Sequence, residues 1–334
     1  MYDEIFENNR QIYFFENSLI VEIYTVGYSK QGESIIVLIK TDGTVRYSGV
    51  IDCYEKSTKK KQSNITKKIL DDNKVENLDF ICWTHPDLDH SIGLDKIMNE
   101  YTDQNTLFWL PTGVYSNERG KEKLENIFKE VDKKAEIGNL DSAQTGHELL
   151  YQKEIIFSNK YETYKLYAKA LTPIPSMIYM KKKNKTYRPN DYSVSFCMGV
   201  ICNEKRMNCR FLFTGDVEDD AIKSGIMPNI KKDSEFNFIK IPHHGSSSSK
   251  SLCDYIGKCE YACSTVFRLG KANDPEKEIM KKYNRKIHKM YITNKTNPKR
   301  GMYYGVVKVM YDIVNQKTDE EYEKDAYEYK NVIE

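Results

Sequence analysis

The sequence predicts an α/β protein in which layers of β-sheet are covered by helices within one domain. Strand-like apolar runs fill both halves of the chain with helical stretches between them, and no fixed-period repeat or long flexible linker interrupts it. A third observation concerns chemistry: three apolar runs, far apart in sequence, end in histidine or aspartate. The expected divisions are an N-terminal extension over residues 1–18, the main domain over 19–312 and a charged tail over 313–334.

Three strands are expected first: Leu19 to Val26, the near-continuous apolar run Ser34 to Lys40, and Val45 to Cys53 after the Asp42-Gly43 turn. Lys56 to Lys68 reads as a basic loop entering a helix that ends near Asp72. The apolar run Phe80 to Thr84 is a strand, and Leu94 to Tyr101 has helical spacing. Leu107 to Leu110 is a strand closed by Pro111-Thr112-Gly113, and Asn117 to Ala135 a charged surface helix. Glu148 to Phe157 and Tyr164 to Leu171 read as strands, closed by Thr172-Pro173-Ile174-Pro175 and followed by a basic segment from Lys181 to Lys185. Strands follow at Tyr192 to Cys202, Cys209 to Phe213 and Phe236 to Ile241, with a helix opening at Glu218. The remainder alternates: Tyr261 to Phe267 strand, Glu276 to Tyr283 helix, then Lys289 to Thr293 and Gly301 to Tyr311 strands. The charged, Tyr-rich stretch after Gln316 is expected to be a terminal helix or disordered.

Composition narrows the function classes. At 334 residues the chain can bury a sizeable core. Its 51 Lys and Arg nearly cancel its 49 Asp and Glu, so overall charge indicates no polyanion partner, and any nucleic-acid site must be a local patch. No run approaches the roughly 18 apolar residues of a membrane span, and no secretory signal pattern opens the chain. The eight Cys form no Cys-x-x-Cys pair, which points to a reduced, cytoplasmic protein.

The chemistry concentrates after Phe80-Ile81-Cys82-Trp83-Thr84, where His85-Pro86-Asp87-Leu88-Asp89-His90 packs two imidazoles and two carboxylates into six residues. So many donors in one turn repel one another unless a cation sits among them, and these are ligand types that Zn²⁺ and Mn²⁺ accept. Asp216 follows Phe211-Leu212-Phe213, and His243-His244 follow Phe238-Ile239-Lys240-Ile241. Strand ends hold ligands rigidly while their head groups converge at one rim. Four of the six His fall in these places, whereas His147 and His288 stand singly and read as surface residues. A metal-dependent hydrolase is the reading from the residues.

Together these segments resemble the metallo-β-lactamase-fold hydrolases. They are most similar to the hydrolase domain of ComEC-type competence proteins, through His85-Pro86-Asp87-Leu88-Asp89-His90, Asn190-Asp191-Tyr192-Ser193, Thr214-Gly215-Asp216 and Pro242-His243-His244-Gly245-Ser246. Val26-Gly27, Gln31-Gly32-Glu33-Ser34 and Val50-Ile51-Asp52 look like that family's opening strands. The resemblance implies an αββα sandwich, two mixed sheets flanked by helices, with two divalent metal ions (Zn²⁺ or Mn²⁺) at one edge. It implies that His85 and Asp87 bind one ion, that Asp89, His90 and one of His243 and His244 bind the other, and that Asp216 bridges both. Asn190 or Asp191 stands where relatives outside this branch place a third His, and Asn273-Asp274-Pro275 where the branch often has Gly-His-Pro.

Two ions of this kind generate a nucleophile near neutral pH, lowering the pKa of bound water from ~15.7 to ~7, and clamp a phosphodiester in line. Asp89 is the candidate to orient that nucleophile, and whichever of His243 and His244 does not bind metal is the candidate proton donor. Asp52 is the candidate partner for the far nitrogen of a ligand imidazole. The resemblance points to phosphodiester cleavage, with DNA as the nucleic-acid substrate. The lack of a membrane-length apolar run and the cysteine usage lead to the expectation of no membrane partner and a cytoplasmic location. Free-standing members of the branch also occur beside bacterial defence genes. Two alternatives are a hydrolase of lactone, thioester or β-lactam bonds, and a non-catalytic or partner-dependent subunit of a larger assembly. No substrate-binding residue is identifiable from sequence.

Overall fold

Strands Leu19–Tyr28 and Glu33–Thr41 pair antiparallel, from Leu19 opposite Thr41 to Gly27 opposite Glu33. The Asp42-Gly43 turn that follows has φ of 48° and 82°, the two positive values of a hairpin loop whose twist matches its strands. It returns the chain as Thr44–Ile51. The computed structural model describes residues 4–7, 9–58, 61–113, 122–203, 206–295 and 303–330.

Phe80–Cys82 then adds parallel to Thr44–Ile51, and Leu107–Pro111 parallel to Phe80–Cys82. Among the described residues the first sheet has eight strands, running from Leu140–Ala143 at one edge to Lys317–Lys324 at the other. The second has ten, and at its centre Arg206–Phe213, Phe236–Lys240, Cys259–Ser264 and Ile287–Ile292 lie parallel. The parallel strands direct their C-terminal ends, where the histidines and Asp216 follow, to one rim.

The sheets face each other across an aromatic seam. Phe80 stacks on Trp109 at 4.4 Å between centroids, Trp109 meets Phe196 edge-on at 5.7 Å, and Phe213 continues the chain to Phe238. A second apolar cluster lies under helices Ile65–Asp72, Leu94–Glu100 and Glu125–Glu136, and holds Ile69, Leu94, Ile97, Phe128 and Val131. A third, with Leu212, Ile239, Leu252, Ile279 and Tyr283, lies under Ser251–Tyr255 and Lys277–Asn284. Each sheet therefore buries one face on its partner and the other on helices, which is the expected αββα layering. Among the described residues no helix is long and apolar enough to cross a membrane. All eight cysteines are buried, and none is joined in a disulfide.

Several elements differ from expectation. The stretch after Gln316 is neither helix nor disordered: Lys317–Lys324 pairs antiparallel with Tyr304–Asp312 as an edge strand. The first 18 residues are not merely an extension, because Glu4–Glu7 and Arg10–Phe14 join the ten-stranded sheet. The Lys181–Lys185 segment is mostly the end of a helix, Pro175–Lys183. Within the expected helix Asn117 to Ala135, residues 117–121 lie outside the described residues, and Glu125–Glu136 is helical. Residues 301 and 302 of the expected Gly301 to Tyr311 strand also lie outside them.

One carboxyl in this frame makes stability depend on pH. Asp79, just before Phe80–Cys82, accepts from the Ser48 N–H at 2.7 Å, and burial pushes it up to about 7 against the opposing pull of Lys153. Asp103 adds to the rise. A carboxyl raised on folding stabilises the protein fully below its unfolded value, and that contribution is lost as pH climbs from about 4 through 7. Asp79→Asn keeps an acceptor for Ser48 and has no charge to bury. It should be more stable than wild type by about 1–3 kcal/mol at pH 8 and about equal near pH 4, read by urea unfolding at both pH values.

Candidate metal centre

The first ligand loop begins where Phe80–Cys82 ends. Trp83 extends the strand by donating its N–H to Trp109 O, and His85 and Pro86 lead to the one-turn helix Leu88–Ser91, with Asp87 at its N-cap position and the Asp87 side chain making no capping bond to it. That turn sets Asp89 and His90 beside His85, with the His85 and His90 rings 4.3 Å apart. All three are buried, whereas the Asp87 side chain is 41% exposed and lies 3.6 Å from His85 Nε2.

The second sheet supplies the opposing wall. Gly215 takes φ 51°, and a Cβ there would fall 2.5 Å from Ser193 Oγ, so Thr214-Gly215-Asp216 turns sharply only because position 215 lacks a side chain. The Ser193 Oγ accepts from the Asp216 N–H at 2.8 Å and fixes the turn. After Phe236–Lys240 the chain places two consecutive non-glycine residues in the left-handed region, His243 at φ 46° and His244 at φ 53°. Such residues cost on the order of 1 kcal/mol or more each and persist where the surroundings enforce them.

The two walls meet. His244 Nε2 lies 3.1 Å from Asp216 Oδ2 and 3.3 Å from Asp89 Oδ2, and His90 Nε2 lies 3.5 Å from Asp216 Oδ2. The Nε2 atoms of His85, His90 and His244, and Asp216 Oδ1, are all buried with no hydrogen-bond partner among the described residues. Buried polar atoms are seldom left unmade, and four at one spot, all lone-pair donors to a cation, fit a divalent metal ion.

Electrostatics agree with that donor set. Burial works against charge on His90 and His244, yet Asp216 and Asp89 outweigh it, holding His90 well above the usual imidazole range and His244 at about 9. Asp216 is correspondingly held well below the carboxylate range, against burial, by His244 and His90, and Asp89 is held to about 2. A site that draws in positive charge this strongly suits a metal cation.

Supporting groups lie behind the imidazoles. Asp52, itself at φ 56°, accepts from the Thr84 N–H at 2.7 Å and from the Thr84 hydroxyl at 2.5 Å, and His90 Nδ1 lies 2.7 Å from its Oδ2. Both its oxygens are thereby engaged, so Asp52 orients His90. His244 Nδ1 lies 2.7 Å from Thr265 Oγ1, whose hydroxyl donates to Glu33 at 2.5 Å, and Lys240 pairs with Glu33 at 2.7 Å. Glu33 and Lys240 are completely buried. Neither they nor Thr265 were among the sequence candidates. The available signal was Lys240 itself, a charged residue inside the apolar run Phe238 to Ile241.

His243 stands apart from this cluster. Its Nδ1 lies 2.8 Å from Ser248 Oγ and 3.7 Å from Glu218, and its Nε2 lies 3.3 Å from the Asn190 side-chain amide. Asp191 faces elsewhere: it accepts from Lys181 Nζ at 2.5 Å and the Arg188 N–H at 2.7 Å. Asp274 is half-buried and lifted by burial to about 6. It exchanges backbone hydrogen bonds with Phe267, whose ring lies over His244. His288 is exposed, and His147 is partly exposed, its Nδ1 3.2 Å from Ser142 O.

No protein-family model matches the chain, and no curated protein matches it. Among solved structures, one described as the crystal structure of a new diphosphatase from the PhnP family aligns over 82% of this chain and 86% of its own, at 11% identity and a TM-score of 0.35.

Proposed function

We propose that this chain is a metal-dependent hydrolase that cleaves phosphodiester bonds, with DNA as its substrate. The observation that carries the reading is the convergence, from two sheets, of three buried imidazole nitrogens and one Asp216 oxygen without hydrogen-bond partners among the described residues. In it His85, Asp87, Asp89, His90, Asp216 and His244 hold two divalent ions, Zn²⁺ or Mn²⁺. Such ions, when bound, acidify water and neutralise charge developing on a phosphoryl group.

The chain's own residues do the rest. Asp89 shares its Oδ2 environment with both His90 and His244, so it orients the attacking water. His243, with Nδ1 against Ser248, moves a proton at Nε2 on the side of Asn190. Asp52 and the Thr265–Glu33 pair lock His90 and His244, so their lone pairs keep one direction through the reaction.

Beside Asn190, the helix Pro175–Lys183 and the chain after it present exposed Tyr179 and Tyr187, with Lys183, Lys185 and Arg188 among them. Rings interleaved with cations suit a single strand, whose bases stack while its phosphates pair. Eight buried thiols outside any disulfide are in keeping with a reducing, cytoplasmic setting.

The experiment is metal content by mass spectrometry together with cleavage of plasmid DNA, single-stranded DNA and bis-p-nitrophenyl phosphate in Mn²⁺ and Zn²⁺. Close to two ions per chain are expected, with cleavage that disappears in the Asp89→Asn/His90→Ala variant while circular dichroism stays unchanged. Wild-type protein that cuts none of the three substrates with either metal would end the reading.

A further inference from the structure

The two ion positions are built unequally. At one, four side chains close on a single point. His244 Nε2 lies 3.1 Å from Asp216 Oδ2 and 3.3 Å from Asp89 Oδ2, and His90 Nε2 lies 3.5 Å and 3.6 Å from the same two oxygens. None of these side chains is more than 9% exposed. Two carboxylates and two imidazoles supply the four places of a tetrahedral divalent ion without help from solvent.

The other position rests on His85 and Asp87, whose Nε2 and Oδ2 lie 3.6 Å apart. The Asp87 side chain is 41% exposed and makes no capping bond to the helix it precedes. Its rotamer is therefore free in the metal-free chain, and an ion that uses it must bear the cost of fixing it. The groups that could complete this set are engaged elsewhere. Asp191 is 4% exposed and accepts from Lys181 Nζ and the Arg188 N–H. The Asn190 amide faces His243 Nε2, and His243 Nδ1 faces Ser248. Among the described residues, the group of three donor atoms that gathers around His85 takes in only Asp52 and His90. Both oxygens of Asp52 are taken by Thr84 and His90, and His90 belongs to the first position. What remains is a share of Asp216 through Oδ1, which is buried without a partner among the described residues.

We propose that the centre grips its two ions with very different strength: one stays with the chain when metal is scarce, while the ion at His85 and Asp87 exchanges with solution and makes hydrolysis follow the free metal concentration. The proposal rests on the two-ion reading above. With metal supplied, both positions fill. When metal is withdrawn, the exposed position empties first, because solvent holds its remaining places and one mobile carboxylate stands where the buried position has two fixed ones.

The test is titration of the metal-free full chain with Mn²⁺, with free Mn²⁺ read by electron paramagnetic resonance. Altering a group behind a single ligand already costs about 10–100-fold in affinity, so a position short of ligands should bind its ion at least about a hundredfold more weakly. Asp87→Asn should abolish the weak class and leave the tight class unchanged, with the circular dichroism of the metal-free chain unaltered because that side chain makes no capping bond. Asp89→Asn should weaken the tight class instead. Cleavage of bis-p-nitrophenyl phosphate should rise with occupancy of the weak class. Two classes without cleavage would fail the hydrolytic reading and leave the unequal grip standing. Two ions of equal affinity, a single ion with no second class up to about 1 mM Mn²⁺, or an Asp87→Asn variant that loses the tight class would overturn this proposal alone. A chain that binds no Mn²⁺ would overturn both.

Discussion

Asp216→Ala is expected to empty the metal centre and to lower hydrolysis by roughly a thousandfold or more, with the fold intact. Asp216 is the residue against which both walls close, with His244 at 3.1 Å and His90 at 3.5 Å from one oxygen and the other oxygen buried without a partner among the described residues. Its backbone is held by Ser193 and Gly215, so alanine takes the same turn and only the carboxylate is lost. A cation that binds only the folded chain adds about 4 kcal/mol of stability when present at a thousand times its Kd. EDTA should therefore lower the wild-type melting temperature by roughly 5–10 °C. It should move the Asp216→Ala variant hardly at all, because that variant has no bound metal to lose. Mass spectrometry of metal content and calorimetric melting with and without EDTA read this independently of any substrate. Wild-type melting that is indifferent to EDTA sinks the metal assignment.

The strand ends that build the centre were legible because each follows an apolar run whose character breaks abruptly into His or Asp. The sequence also distinguished His147 and His288 from the others, since neither follows such a run. It did not separate His243 from His244. That depends on two successive left-handed residues, which turn one ring toward Asp216 and the other toward Ser248. The helix Pro175–Lys183 was missed because Pro173 and Pro175 read as a strand stop, although proline is equally at home in a helix's first turn. The Lys317–Lys324 strand was missed for another reason. It is an edge strand, and its Lys and Glu residues discourage further pairing while hiding the apolar alternation that marks buried strands. Glu33 and Thr265 are 232 residues apart and Lys240 lies on yet another strand. No local pattern can announce a partnership that only the closed sandwich creates.

That partnership predicts the largest stability effect in the protein. Lys240→Met should destabilise the metal-free chain by about 3–5 kcal/mol, because it leaves the Glu33 carboxylate buried and uncompensated. Burial opposes charge on both residues, and their mutual attraction at 2.7 Å is the largest opposing effect on each. It keeps Glu33 below the usual carboxylate range with help from His90 and His244, and Lys240 above the usual lysine range with help from Asp216. Glu33→Gln alone should cost a comparable amount by stranding Lys240, whereas Glu33→Gln/Lys240→Met should cost about 1 kcal/mol or less, since neither charge is then left unpaired. Urea unfolding in EDTA measures all three without interference from bound metal. If Lys240→Met alone falls within about 1 kcal/mol of wild type, the pair is not the compensated unit its geometry implies. The double variant also separates structure from function. The amide that Glu33→Gln introduces can still accept from the Thr265 hydroxyl but carries no charge, so His244 keeps its orientation and loses the field behind it. Metal affinity should then fall by about 10–100-fold, the effect expected when a group behind a ligand imidazole is altered, even though the fold has regained its stability. A buried ion pair is a poor way to gain stability over an apolar pair of the same volume. Its presence here is accounted for by the carboxylate it delivers behind His244, with Lys240 as the charge that allows Glu33 to remain ionised in the interior.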